Sequence, residues 1–246
     1  MNAEMLEKMI MKRKSIRSIS MTPLSEEVLS DIISFAENLV PLFPAIQTSV
    51  KLLPRAEIKP FGSGFAPHYL AIYSEQGPDA ELNAGFMLQQ ADLYLSSKGI
   101  GSCWLGMTAP HLTAYDGLTF IVLLAIGTPG ENVHRTSIDQ FKRKPLEEIA
   151  TAWVVPSYIN AMRLAPSAMN KQPWFFTGEE TCCHVFSVRG KGLINIAEGW
   201  RFVDLGISMS HLWISALADS TSVVFKREDS IPSRTGTDYV LSCRIE

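Results

Sequence analysis

The chain has 246 residues, 46% hydrophobic and 19% charged, with a net charge of −3. That length allows one large domain or two small ones, with a sizeable core either way. The near-neutral charge excludes a global pull toward nucleic acid or an anionic membrane, and the longest apolar run, Phe120 to Ile126, is far too short to span a bilayer.

The N-terminus has no apolar signal core or cleavage site. The four cysteines, Cys103, Cys182, Cys183 and Cys243, show no framework spacing. A reduced, cytoplasmic protein is expected. Residues 1–12 alternate apolar and charged side chains at helical spacing, with Met5, Leu6, Met9 and Ile10 on one face. Arg13-Lys14-Ser15-Ile16-Arg17 follows. Guanidinium forks and a serine hydroxyl suit a dianion; the same five residues also suit a solvated basic helix end.

Pro23-Leu24-Ser25-Glu26-Glu27 predicts a helix start, with Ser25 as cap, and Val28, Leu29, Ile32, Ile33 and Ala36 form its apolar face. Residues 41–67 are rich in Pro and Gly and read as loop with short strands at most. His68 to Tyr73 reads as a buried strand with His68 as a structural hydrogen-bonder at its mouth. A helix is predicted from about Asp79 to Lys98. Gly99-Ile100-Gly101-Ser102-Cys103-Trp104-Leu105-Gly106 follows a helix and leads toward a strand, so it is no dinucleotide fingerprint; its glycines let the backbone approach something closely. Phe120 to Ile126 is a second buried strand. Three adjacent cations, Lys142, Arg143 and Lys144, precede a Pro-initiated helix and make a second candidate anion site or a solvated patch.

A helix from about Pro156 to Leu164 is closed by Pro166. The loop then offers Ser167, Asn170 and Gln172 before Pro173-Trp174 leads into an extended Phe175-Phe176-Thr177. Short polar side chains on such a bend suit a flat heteroaromatic ligand with carbonyls and ring nitrogens, or simply cap a helix and start a strand. Cys182-Cys183-His184 carries no metal reading, because adjacent cysteines splay to opposite faces of a strand and no second ligand pair is spaced to complete a tetrahedron. Residues 203–218 form a strongly apolar helix with His211 as a core or interface histidine. Val223 to Phe225 and Tyr239 to Leu241 close the chain as strands. No nucleophile–base pair stands out, and Ser167 lacks a nucleophile-elbow setting.

The chain also aligns with itself. A shift of 125 residues lays Ala36, Leu39, Pro41 and Gln47 on Ala161, Leu164, Pro166 and Gln172, with Leu42, Ala45 and Ser49 opposite Ser167, Asn170 and Trp174. A shift of 121 lays Gly85 on Gly206 and Leu88 on Met209. The order helix, Pro-loop, strand, long apolar helix, strand occurs twice.

Pro166-Ser167-Ala168-Met169-Asn170-Lys171-Gln172-Pro173-Trp174 resembles the Pro-Ser-x-x-Asn-x-Gln-Pro-Trp loop of the FMN-dependent nitroreductases, and Arg13 to Arg17 resembles that family's basic Arg-Ser-x-Arg segment. The family places the two close in sequence; here about 150 residues part them. The resemblance implies an α+β fold of mixed, mostly antiparallel sheets flanked by helices. It further implies two pseudo-symmetric halves, residues 1–150 and 151–246, that mimic the family's homodimer within a monomer. Residues 1–150 would keep the phosphate grip and residues 151–246 the Pro-loop, giving one FMN per chain.

The cofactor-binding residues so implied are Arg13, Ser15, Arg17, Leu105, Gly106, Lys142, Arg143, Pro166, Ser167 and Asn170. Arg13 and Arg143 would hold the phosphate with Ser15 assisting, and Lys142 would replace a family lysine missing at Phe141. Arg17 would sit near the flavin pyrimidine, the Gly106 amide beside Leu105 would face N5, and Gln172, Pro173 and Trp174 would support the loop. The activity implied is ping-pong hydride transfer from NAD(P)H to a nitroaromatic or quinone, without an ionisable catalyst. A flavin-binding protein without reductase activity is the alternative.

Overall fold

The computed structural model describes residues 2–59, 66–151, 156–190, 199–231 and 233–246. Asn2 caps helix α1 (Ala3–Ile10) by accepting from the Met5 amide, and Ser25 caps α2 (Glu26–Ala36) by accepting from Val28. The side-chain oxygens satisfy donors that the first helical turn leaves open. After α2 come β1 (Thr48–Pro54), β2 (His68–Ser74), α3 (Ala80–Ser97), β3 (Gly101–Leu105), the two-residue β4 (Ala114–Tyr115) and β5 (Leu118–Gly127). Then follow α4 (Leu146–Ile149), α5 (Pro156–Arg163), β6 (Trp174–Glu179), β7 (Cys182–Val188), α6 (Arg201–Ala218), β8 (Val223–Lys226) and β9 (Thr237–Ile245). Among the described residues, no helix is long and apolar enough to cross a membrane.

The fold is α+β, with two antiparallel sheets flanked by helices. The first sheet has the order β1-β2-β5-β3, with β4 on β5; the second has the order β6-β7-β9-β8. In each, a hairpin pair is followed by a long helix, and the next strand lands at the far edge. β1 is a seven-residue strand in full register with β2, where composition predicts mostly loop. Its apolar residues pair across the ladder, and pairing outweighs the Pro- and Gly-rich surroundings. The Gly101–Leu105 segment is itself a strand rather than a lead into one. His68 accepts a hydrogen bond from the Leu24 amide (3.1 Å), as its place at the strand mouth suggests.

Helix α3 is buried on all sides along nearly its whole length, the mark of a helix between layers. It packs on the first sheet and on α6, which packs on the second. Their contact is backbone to backbone. A Cβ on Gly85 would lie 2.1 Å from the Val203 carbonyl oxygen, and a Cβ on Gly206 would lie 2.0 Å from that of Leu82. Only glycine permits this approach. One continuous core runs from Leu70, Ile72 and Leu124 of the first sheet to Phe176, Val185 and Leu241 of the second. A smaller cluster fastens α1 through Leu6, Met9 and Ile10 to Leu93, Leu164 and Ile214.

Both long helices carry polar side chains that hold a preceding Pro-loop. From α3, Asn83 Oδ1 accepts from the Leu42 and Phe43 amides (2.8 and 3.0 Å), and Gln90 brackets the Val40 amide and carbonyl. From α6, Asp204 accepts from the Ala168 amide, and His211 Nδ1 lies 2.8 Å from the Ala161 carbonyl. Burial holds His211 neutral, with its pKa pushed down to about 3. Nδ1 therefore carries the proton given to Ala161, and Nε2 accepts from Gln89 at 3.0 Å.

Candidate functional site

The basic segment 13–17 is threaded between two fixed backbones. The Ile16 amide donates to Ser102 of β3 (2.8 Å), and Gly130 and Arg135 donate from the chain beyond β5 to Ser18 and Lys12. Ile16 is buried, which turns its neighbours Ser15 and Arg17 to the opposite side. Arg13 is not a solvated helix end: it is 1% exposed, and its Nε lies 2.9 Å from Asp92 of α3 as an ion pair. Its Nη2 donates to Ser15 Oγ (3.3 Å), and Asp92 also accepts from Ser102 Oγ at 2.5 Å. A buried charge needs such partners.

Further along, Arg143 donates to Asn170 Oδ1 (2.8 Å) and to the Leu164 carbonyl (3.1 Å), and Asn170 Nδ2 donates to the Lys142 carbonyl (2.7 Å). These bonds join the second basic cluster to the Pro-loop. Arg135 donates to the Arg13 carbonyl and lies over the Phe141 ring. Burial and crowding both act on these guanidinium groups. Burial, then the charges of Arg13, Arg135 and Arg163, lowers the Arg143 pKa to about 9. Burial, then Arg13 and Arg17, lowers that of Arg135 to about 10. Arg13 and Lys14 have acids, Asp92 and Glu131, but among the described residues Arg135 and Arg143 form no ion pair, and cations without an acid can take an anion.

The cations surround a cavity of about 570 Å³, lined by Arg13, Lys14, Ser15, Arg17, Arg135, Lys142 and Arg143 with Pro166, Ser167 and Asn170. Its one acid, Glu131, is held by Lys14 at 2.7 Å, which keeps its carboxyl below the usual range. A second cavity of about 200 Å³ adjoins it, sharing Ser15, Arg17, Pro166, Ser167 and Met169. This one is mostly apolar, walled by Trp104, Gly106, Val122, Trp200, Val203 and Ile207, with Asp204 among them. A charged chamber adjoining a mostly apolar slot fits a ligand with an anionic tail and a ring system.

The Pro-loop is held in an unusual shape. Met169, Asn170 and Gln172 all have φ between 51° and 56°, the left-handed region that side chains other than glycine seldom occupy. Ser167 Oγ accepts from the Gln172 amide (2.9 Å), and Gln172 Oε1 accepts from Lys144 (2.8 Å). Gln172 is buried and Trp174 lies in the core, so both support the bend from behind. On the slot's other wall, Gly106 meets the Trp200 ring so closely that a Cβ there would lie 2.8 Å from ring carbon Cε2. At the head of α6, Asp204 is buried, and burial raises its pKa to about 8 against the lowering pull of the Ala168 amide.

The structure brings together Arg13, Ser15, Arg17, Lys142, Arg143, Pro166, Ser167 and Asn170 around the larger cavity, and Gly106 at the smaller. Leu105 does not join them; its side chain packs with Tyr69, Ala71 and Leu123 in a separate apolar cluster. Asn170 spends its carboxamide on Arg143 and Lys142. Sequence reading missed Arg135, Trp200 and Asp204. Arg135 is a lone cation in a loop, while the other two open a helix that reads as plain core, so no local pattern marks them. Among the described residues, no three His, Cys, Asp or Glu side chains cluster as a metal site.

A family model described as "Putative TM nitroreductase" matches residues 5–216. A crystal structure of a putative nitroreductase from Thermotoga maritima superposes with a TM-score of 0.65 at 19% identity, covering 98% of this chain and 92% of that one. A nitroreductase with bound FMN from Desulfitobacterium hafniense matches with a TM-score of 0.41 at 16% identity, over 59% of this chain and 100% of that one. No curated protein matches the sequence.

Proposed function

The chain belongs to the family described as putative TM nitroreductases and is an oxidoreductase; on that premise we propose an FMN-dependent NAD(P)H oxidoreductase that reduces electron-poor acceptors such as nitroaromatics or quinones. The observation that carries this reading is the cation crowd. Burial first, and then the neighbouring guanidinium charges, lower the basicity of Arg143 and Arg135, and a phosphate monoester brings about two negative charges. Arg143, Arg135 and Arg13 would hold that phosphate, with hydroxyl donors from Ser15 and Ser167. Arg17, which lines both cavities, would face the pyrimidine edge and favour the reduced ring. The Gly106 amide and the Trp200 ring would bound the slot and exclude water. When bound, FMN supplies two-electron hydride chemistry at N5, between NAD(P)H and an acceptor that take turns in one place.

The chain also reads as two diverged copies, residues 1–150 and 151–246, packed as a pseudo-dimer with one complete site. The supports are the matching strand orders of the two sheets and the reciprocal contacts of Gly85 with Val203 and Gly206 with Leu82, which a shift of 121 exchanges. The helix ends agree as well. Ile100 donates to Leu95 after α3 and Thr221 to Ala216 after α6, with Gly99 and Ser220 both at positive φ.

The test is an absorption spectrum of protein purified with FMN, taken before and after anaerobic NADH or NADPH. One flavin per chain, bleached by either nucleotide, is expected. Protein that takes up no FMN overturns the cofactor, two flavins per chain overturn the single site, and a flavin that neither nucleotide bleaches overturns the reductase.

A further inference from the structure

We infer that Asp204 is the acid that hands a proton to the acceptor in the apolar slot, a catalytic role beyond holding the Pro-loop; this rests on the flavin oxidoreductase reading above. Three observations carry it. First, Asp204 is the single carboxyl among the residues lining the 200 Å³ cavity, where it shares the wall with Gly106, Trp200 and Ile207.

Second, its bonding leaves a proton to give. Both carboxyl oxygens accept from one donor, the Ala168 amide, at 3.0 and 3.1 Å. No cation pairs with it among the described residues. Arg17 and Cys103 line the same cavity, Glu81 of α3 answers to Arg201, and Arg163 of α5 acts on Arg143. Asp204 itself responds to burial, which raises its pKa and holds it protonated through neutral pH against the opposing pull of the Ala168 amide. A protonated carboxyl has an O–H donor, and its recorded partner offers only another donor.

Third, the chain contains its own control. Asn83 occupies the matching place on α3 and caps the first Pro-loop with a carboxamide oxygen, accepting from Leu42 and Phe43. Capping therefore needs an acceptor and no acid. A titratable group stands at the loop beside the cavities, and a non-titratable one at the loop without the phosphate-binding cations.

The step balances with one hydride and one proton. When bound, the reduced flavin would supply the hydride; a quinone that takes it at one carbonyl oxygen is left with a negative charge on the other oxygen. Asp204 Oδ–H gives that oxygen its proton, yielding the hydroquinone, and the carboxylate recovers a proton from water. Two electrons and two hydrogens reach the acceptor.

Asp204→Asn keeps an oxygen for the Ala168 amide, as Asn83 does. We expect FMN content and affinity to match wild type, quinone reduction to slow by about 100-fold, and the loss of rate above pH 8 to vanish from the profile. Asp204→Glu should recover part of the rate. Independently of turnover, infrared spectra of the flavin-free protein should show a protonated carboxyl stretch that titrates in the weakly alkaline range and is absent from the Asn variant. An Asn variant that binds FMN and reduces quinone at the wild-type rate across pH overturns the proposal while sparing the flavin reading. So does a wild-type infrared spectrum without that band at pH 6. Wild-type protein that binds no FMN overturns the flavin reading itself, and the proton-transfer step with it.

Discussion

After β3 the chain places Gly106 under the Trp200 ring; after β8 it places Arg227, whose guanidinium pairs with Asp79, donates to the Val240 carbonyl and lies over the Phe43 ring. These two places are 121 residues apart, as are Trp200 and Asp79. One end of the α3–α6 pair holds a glycine, an aromatic wall, a carboxyl at Asp204 and a serine at Ser167. The other holds a long cation, its counter-ion, a carboxamide at Asn83 and a leucine at Leu42. The frame is the same and the filling differs. The two places thus differ in their side chains, one bordering the 200 Å³ cavity and the other carrying an ion pair and apolar packing, around one helix contact.

The comparison breaks most sharply at Gly106. Gly106→Arg copies the closed end into the open one, where even a Cβ crowds Trp200. Flavin affinity should fall by about 3 kcal/mol or more, through overpacking and loss of the slot; yellow protein at the wild-type ratio would show that Gly106 does not border the ligand.

Nearly as large is the pH effect of exchanging the two loop caps. Folding raises the Asp204 pKa from 3.8 to about 8. The native chain therefore holds a proton that the unfolded chain releases. The resulting stability is complete below pH 4 and drains away as pH rises toward 8. Between pH 5 and 7.5, flavin-free wild type should lose about 3 kcal/mol relative to Asp204→Asn. Urea unfolding at both values measures this, and parallel curves would mean Asp204 is ionised throughout.

Gly206→Ala comes next, at about 2 kcal/mol of stability, because the methyl meets the Leu82 backbone rather than a movable side chain. Gly85→Ala should cost a similar amount, since its methyl meets Val203 in the same way. A large loss in one and none in the other, by thermal unfolding, would show the two contacts to be unequal. Smallest is Ser167→Leu, which installs the residue of the closed loop. It removes one hydroxyl, for about 1 kcal/mol of FMN affinity, and titration with FMN reads it.

What the sequence disclosed follows the range of the signals. Arg13 to Arg17, Lys142 to Arg143 and the Pro-loop each stand out as local patterns, and all reach one cavity wall. Long apolar helices and buried strands show in their periodicity. β1 stayed hidden because prolines and glycines on either side dilute its alternation. Arg135, Trp200 and Asp204 stayed hidden because their meaning depends on which distant segment folds against them. Arg13 itself was legible as a cation, while its buried pairing with Asp92 was not, since nothing local ties the one aspartate of α3 to a segment so far upstream.

The cavity walls come from residues 13–17, 103–107, Val122, 131–143, 166–170 and 200–207. During translation the early cations leave the ribosome long before the bend and the helix that complete their enclosure. The larger cavity is therefore complete only once Asn170 is made and the smaller only once Ile207 is, and the first sheet emerges with the α6-facing side of α3 still uncovered. A chain cut short before residue 200 would lack Trp200, Val203, Asp204 and Ile207 of the smaller cavity and would leave the α6-facing side of α3 exposed.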